Sequence, residues 1–433
     1  MTSFGNPLRL TTERRHMRIF SQCLKLAMVL CTAIGPFTSF AQKTGFTGEF
    51  KSNFTPQSIT FSNGCVKPEK TITLAAIGDV LLHDTLQQWA SNQSSGFLPA
   101  MSPVQDILTA ADVSVANLEG PAAAGVVPGG KKFTEPKTRY DALVYKGYPM
   151  FNYHPSIVTD LKQLGVDVLQ TANNHALDRG ELGINLTLEA IDAAGLVRTG
   201  TRHSQRQQQP WFGIHRVHKA GQSYNIAYLA CSYSTNGIVD KAKQVLMCYD
   251  NKEEVLTQIR ELNARPDVHA VIVLPHWGQE YQPLPDLAQQ QLARDMVDAG
   301  ATAIIGTHPH VVQPMEKLKA RDGREAIVVY SLGNFVSHQE GLPRLSSLIY
   351  LLALAPGKSQ KLEPQAVGWI PLRMKTGGTF AVEALDRLAP NSAQAFRTHL
   401  LKTFHTDQLH PSKLPLWSDL QCQLPPNGSS QPG

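Results

Sequence analysis

Once its first 41 residues are set aside, the sequence has almost no surplus of charge. Arg9, Arg14, Arg15, Arg18 and Lys25 stand in that stretch against Glu13 alone, and the remainder carries 35 basic and 34 acidic residues. The net charge of +5 therefore falls to +1, which gives no electrostatic reason to expect a nucleic-acid partner. Beyond the N-terminal segment there is no apolar run long enough to span a bilayer, and there is no internal repeat. Three common catalytic signatures are also missing: a Gly-x-Ser-x-Gly elbow, a Walker lysine loop, and a Gly-x-Gly-x-x-Gly turn after the first strand. Their absence argues against serine hydrolase, P-loop and dinucleotide-binding chemistry. Disorder is excluded by composition, since 42% of the 433 residues are hydrophobic and 17% charged. That length suits one large α/β domain or two ordinary ones.

The basic segment reads as an export signal. Positive charge runs to Arg18, an apolar stretch follows from Ile19 to Phe37, and Ser39-Phe40-Ala41 supplies a small-x-small end. Cleavage is expected after Ala41; an uncleaved membrane anchor is the alternative. Cysteine is scarce, and Cys23 and Cys31 leave with the signal. Cys65, Cys231, Cys248 and Cys422 remain, an even number in an oxidising compartment. The expected pairs are Cys231–Cys248 and Cys65–Cys422, against four free thiols.

Residues 42–70 are polar and read as a linker or surface strap, and 71–390 as the folded domain. A C-terminal helix and polar tail fill 391–433. Short apolar runs at Ile72–Ile77, Val113–Ala116, Val166–Leu169, Ile226–Ala230, Ala270–Leu274, Ala303–Ile305 and Ile327–Tyr330 predict strands. Helical spacing predicts helices over Pro155–Leu164, Leu182–Ala194, Lys252–Asn263 and Leu287–Ala299, and residues 348–354, 366–374 and 379–382 read as further strands. This alternation is that of an α/β protein with a largely parallel sheet.

Nearly every strand runs straight into a polar cluster. Ile77 leads to Gly78-Asp79, Ala116 to Asn117-Leu118-Glu119, Leu169 to Asn173-Asn174-His175, Leu274 to His276-Trp277-Gly278, Ile305 to His308-Pro309-His310, and Tyr330 to Ser331-Leu332-Gly333-Asn334. Open α/β sheets bind ligands beyond the carboxyl ends of their strands. Parallel strands would therefore gather Asp79, Glu119, Asn173, Asn174, His175, His276, His308 and His310 on one rim. These donors are oxygen and nitrogen with no thiolate, which suits manganese, iron or zinc, often as a pair of ions. Each residue alone has a structural alternative: a helix cap for Asp79, a turn carboxylate for Glu119, a satisfied core imidazole for each histidine. Six such strand ends together favour a metal centre. Asn174 offers an amide oxygen to metal while the adjacent His175 is free to act as a proton donor. Asp178 is placed to orient that imidazole, or to serve as a carboxylate at the start of a helix.

These motifs, with Phe151-Asn152-Tyr153-His154-Pro155 and His276-Trp277-Gly278-Gln279-Glu280-Tyr281, resemble the CapA-type poly-γ-glutamate capsule biosynthesis family of the calcineurin-like metallophosphoesterase superfamily. The resemblance covers roughly residues 71–340. It implies a four-layer α/β/β/α sandwich with a site for two divalent ions. By analogy, Asp79, Glu119 and His310 serve one metal; Asn174, His276 and His308 serve the other, with Glu119 bridging. His175 then protonates the leaving group, with Asp178 behind it. Arg139, Glu280 and Asn334 are assigned to substrate binding. Two positions depart from the superfamily pattern: Leu81 stands where a histidine is usual, and Glu119 where an aspartate is usual.

Two functions follow as expectations. One is an exported metal-dependent hydrolase, acting on an amide or a phosphoester, in poly-γ-glutamate synthesis, export or trimming. The other is a non-catalytic subunit that holds the anionic polymer, with Lys131, Lys132, Lys137 and Arg139 as contacts and a membrane synthase complex as partner.

Overall fold

The computed structural model describes residues 52–55, 59–62, 68–357, 359–404 and 412. The export segment, Cys65 and Cys422 lie outside these residues. In chain order the strands are β1 (Ile72–Val80), β2 (Val113–Leu118), β3 (Val126–Val127), β4 (Lys131–Lys132), β5 (Val168–Gln170), β6 (Val197–Thr199), β7 (Phe212–Lys219) and β8 (Gln222–Ser232). They continue with β9 (Ala270–His276), β10 (Ala303–Ile305), β11 (Val312–Lys319), β12 (Glu325–Leu332), β13 (Asn334–Val336), β14 (Ser346–Pro356), β15 (Leu362–Lys375) and β16 (Ala381–Ala384). The helices are α1 (Asp84–Ser91), α2 (Leu98–Met101), α3 (Gln105–Ala110), α4 (Ser156–Leu164), α5 (Gly180–Ala193), α6 (Lys252–Ala264), α7 (Leu287–Ala299) and α8 (Pro390–Phe404).

Two large sheets form. The first runs β16-β15-β14-β1-β2-β5-β6, with β13 also paired to β1; the second runs β11-β12-β10-β9-β8-β7. Strands β1, β2, β5 and β6 are mutually parallel, as are β8, β9, β10 and β12, while β7 and β11 are antiparallel edges. The period of two along each strand decides what each face meets. Ile72, Leu74 and Ala76 of β1 pack into the same apolar cluster as Ala270, Ile272 and Leu274 of β9, so this cluster lies between the sheets. The intervening Ala75 and Ile77 turn outward to Leu86, Ile107, Ile157 and Leu161 of α1, α3 and α4. Val271 and Val273 turn the other way, to Val255 and Ile259 of α6 and Leu292 and Met296 of α7. The order is thus helix, sheet, sheet, helix: the α/β/β/α sandwich expected. A one-residue slip in β1 or β9 would exchange every inner contact for an outer one, so burial on both faces fixes the register.

Ends of elements are set locally. Helix α4 stops at Gly165, left-handed at φ 106°, whose N–H bonds back to Lys162 O at 3.1 Å. Helix α7 opens with a reciprocal capping box between Asp286 and Gln289. Phe54 meets Tyr330 edge-on at 5.6 Å, and Ile59 and Phe61 pack on the inter-sheet core, so the described part of the N-terminal strap lies along the second sheet. Cys231 and Cys248 are bonded, with Cα atoms 5.0 Å apart. Among the described residues no helix is long and apolar enough to cross a membrane.

The strand ends need close backbone approach. A Cβ on Gly78 would sit 1.9 Å from Gly333 O, which accepts the N–H of Asp79 at 3.1 Å. The oxygen belongs to the backbone and a Cβ has no rotamer, so no side-chain change relieves the clash. Gly78→Ala is expected to lower stability by about 1–3 kcal/mol or more, measurable by urea denaturation, because β1 must shift away from β13.

Candidate metal centre

Strands β1, β2 and β5 of the first sheet and β9, β10 and β12 of the second end at a common rim. There Asp79, Glu119, Asn174, His276, His308 and His310 come together, all essentially excluded from solvent. Three overlapping donor groups, each with ligand atoms within 4.8 Å of one another, are formed: Asp79 with Glu119 and His310; Glu119 with His276 and His308; Glu280 with His308 and His310. His276 Nε2 is 2.9 Å from Asn174 Oδ1 and 3.6 Å from Glu119 Oε1, and His310 Nε2 is 3.8 Å from the same oxygen. Two donors each about 2.1 Å from one ion stand roughly 3–3.5 Å apart, so this spacing suits a shared divalent metal.

Glu119 is the decisive group. Both of its carboxylate oxygens are buried and neither has a hydrogen-bond partner; His308 Nδ1 is likewise buried and unpartnered. A buried carboxylate without partners is costly, and a cation is what would satisfy it. Burial, with the Asp79 carboxylate beside it, pushes the Glu119 carboxyl well above its ordinary range. Burial also holds His276 and His308 well below the usual histidine range, which leaves their lone pairs available. Burial pulls His310 down too, but Glu119 and Asp79 outweigh it and hold that imidazole at about 9.

The surrounding contacts fix these atoms. Asn117 donates from Nδ2 to Asp79 Oδ1 at 2.8 Å, and His276 Nδ1 is 3.0 Å from Thr307 Oγ1. Asn334 Oδ1 lies 3.0 Å from His310 Nδ1, while its amide nitrogen donates to Gln339 Oε1 and to the carbonyls of His310 and Arg344. Asn334 is therefore buried behind His310. His308 and His310 both adopt positive φ, 101° and 57°, with Pro309 between them. Such backbone is uncommon for a side chain of this size and persists where the surroundings impose it.

His175 stands beside this cluster and outside all three donor groups. Its Nδ1 is 2.7 Å from Asp178 Oδ2, which also accepts the N–H of Phe151 at 2.6 Å. Asp178 Oδ2 thus faces the imidazole and the Phe151 N–H. The Phe151 ring packs edge-on to His175 at 4.7 Å.

Residues 73–339 match the family model described as bacterial capsule synthesis protein PGA_cap. The chain belongs to this family. It is 35% identical over 180 residues to the PGA biosynthesis protein CapA of Bacillus subtilis, covering 41% of this chain and 44% of that protein. It is 33% identical over 186 residues to the capsule biosynthesis protein CapA of Bacillus anthracis, covering 42% and 43%. The chain spans under half the length of these two relatives. A solved structure, the NAD nucleotidase of Haemophilus influenzae, aligns with a TM-score of 0.41 at 13% identity over 78% of this chain and 64% of that one.

Within this PGA_cap chain, other predicted residues are placed differently from the cluster. Leu81 is buried in the apolar layer under the helices, and offers no donor. Arg139 stands elsewhere: it donates to Gln93 O at 3.3 Å and lies with Asp160 beside Gly96. Lys131, Lys132 and Lys137 are exposed. Residues that the sequence reading passed over line the rim after β8. The Tyr233 ring lies 4.2 Å from that of His308, and Asn236 contacts both Asn174 and His175. The apolar run Ile226–Ala230 marks the strand in the sequence, and its polar sequel, Ser232-Tyr233-Ser234-Thr235-Asn236, is the signal for these residues.

His83, two residues past Leu81, does not replace the usual histidine. Its Nδ1 accepts the N–H of His338 at 3.2 Å, and it belongs to none of the donor groups. Burial, with His310 nearby, lowers it from 6.5 to about 4. The unfolded chain therefore takes up a proton that folded His83 refuses, and stability drains as pH falls from 6.5 towards 4. His83→Gln is expected to show a shallower loss over that window in urea denaturation at stepped pH.

Proposed function

We propose that this chain is an exported, divalent-metal-dependent hydrolase acting on an anionic polymer such as poly-γ-glutamate during capsule synthesis, export or trimming. The single observation that carries the reading is the buried, unpartnered Glu119 carboxylate set among three imidazoles. Asp79, Glu119 and His310 would hold one ion, and Glu119, Asn174, His276 and His308 the other. When bound, such ions polarise the scissile carbonyl or phosphoryl group and make water acidic enough to attack near neutral pH. The chain's own contribution is orientation and proton delivery. With Nδ1 committed to Asp178, His175 Nε2 is the atom that gives a proton to the leaving group. Asn117, Thr307 and Asn334 keep the ligands aimed. The names of the two Bacillus relatives support the capsule role, and the basic N-terminal segment supports export.

One observation favours a second reading, a polymer-holding subunit: the exposed Lys131, Lys132 and Lys137 suit a polyanion without any chemistry. Elemental analysis combined with a chain-length assay on poly-γ-glutamate separates the two. Near-stoichiometric manganese, iron or zinc with shortening of the polymer supports the hydrolase. Metal-free protein that binds the polymer and leaves its length unchanged replaces it with the subunit.

A further inference from the structure

The two sets of donors are unequal. Glu119, Asn174, His276 and His308 offer four, enough for a tetrahedral shell. Asp79, Glu119 and His310 offer three, and Leu81, buried in the apolar layer under the helices, adds none. We infer that Glu280 supplies the missing donor, so that the first ion is held by Asp79, Glu119, His310 and Glu280. The inference rests on the metal reading above and names a ligand that reading lacks.

The placement of Glu280 carries it. Its ligand atom lies within 4.8 Å of those of both His308 and His310, so the carboxylate stands beside His310 of the first set, outside the group that Asp79 and Glu119 form with that imidazole, and closes on the ion by a turn of its exposed stem. The backbone holds it there. Tyr281, the next residue, donates its N–H to Pro309 O at 2.8 Å, which ties Glu280 to the middle of the His308-Pro309-His310 turn. Gly278 and Tyr281 both have positive φ, 86° and 66°, and Gly278 packs flat against the Gln289 side chain. On the other side the Tyr281 ring lies 6.1 Å from that of His310 and under the Arg344 guanidinium at 5.0 Å. Within the cluster the buried atoms without hydrogen-bond partners are His308 Nδ1 and both oxygens of Glu119. Among the described residues no salt bridge occupies Glu280. Its exposure lets the carboxylate close on an ion without a large desolvation penalty. A set of three carboxylates and one imidazole is also harder than the second set, which favours manganese or ferrous iron there.

The test is metal binding by the full-length chain, stripped of metal and titrated with Mn²⁺ by calorimetry and with Co²⁺ by visible absorption. Wild type is expected to take up two ions. Glu280→Gln is expected to keep one at unchanged affinity, to bind the other about tenfold or more weakly, and to lose the Co²⁺ absorption change of that step. Glu280→Asp, which keeps the charge on a shorter stem, should fall between them. Two ions bound by Glu280→Gln with wild-type affinities would overturn the role of Glu280 alone. A wild type that binds one ion also overturns it, and a wild type that binds none removes the metal reading with it.

Discussion

Divalent metal added to the stripped protein is expected to raise its melting temperature by on the order of 10 °C, and Glu119→Gln to abolish most of that rise. A ligand that binds only the folded state stabilises it by about 4 kcal/mol at a thousand times its Kd, so two ions give roughly 8 kcal/mol. A chain of this length unfolds with an entropy that converts each kcal/mol into somewhat more than about 1 °C. Glu119 should dominate the effect because it sits in two of the three donor groups, so its loss weakens both ions. The substitution should not harm the metal-free fold. Gln is nearly isosteric with Glu, and it removes a buried carboxylate whose oxygens have no partner. The informative comparison is therefore four melting curves, wild type and variant with and without Mn²⁺. The metal-free variant should melt at or above the metal-free wild type, and the order should reverse when metal is added. A wild type that melts at one temperature throughout would count against Glu119 as a ligand.

Much of this centre was legible because it follows from strand ends. Runs such as Ala303–Ile305 announce themselves as strands, and a polar residue just beyond a parallel strand has few places to go but the rim. That logic brought Asp79, Glu119, Asn174, His276, His308 and His310 together, and in the structure overlapping donor groups join five of them while Asn174 contacts His276. It did not reveal β7 or β11: Phe212–Lys219 is half-exposed, and Val312–Lys319, though mostly buried, breaks its apolar residues with Gln313, Glu316 and Lys317, so neither has a continuous apolar run. Nor did it reveal which residues orient and which are oriented. Asn334 looked like a group facing substrate, and it lies buried behind His310. Arg139 looked like a polyanion contact near the site, and its position depends on the loop between β2 and α4, whose path no periodicity predicts. The positive φ angles of His308 and His310 are likewise imposed by tertiary contacts, since sequence favours glycine at such positions.

His175→Ala is expected to reduce turnover by about 10²–10⁴-fold while leaving metal content unchanged. The separation of the two effects follows from geometry. Asn174 and His175 are neighbours in sequence, yet Asn174 Oδ1 faces His276 within the cluster, whereas His175 Nδ1 faces Asp178. Asn174 thus contacts a member of the donor groups, whereas His175 belongs to none of them. Removing the imidazole therefore takes away a proton donor without opening the shell of either ion. His308→Ala makes the contrast. Its Nδ1 is buried and without partner and its ring belongs to two donor groups, so that variant should lose metal and activity together. Asp178→Asn should fall between wild type and His175→Ala, since the amide keeps a contact to Nδ1 but no longer stabilises the charged imidazole. Its effect should appear in kcat more than in KM, because protonation of the leaving group belongs to the transition state. Should His175→Ala hydrolyse polymer at the wild-type rate with both ions bound, the proton must come from elsewhere, and the His175–Asp178 pair would be a brace for Phe151, whose N–H the same carboxylate accepts.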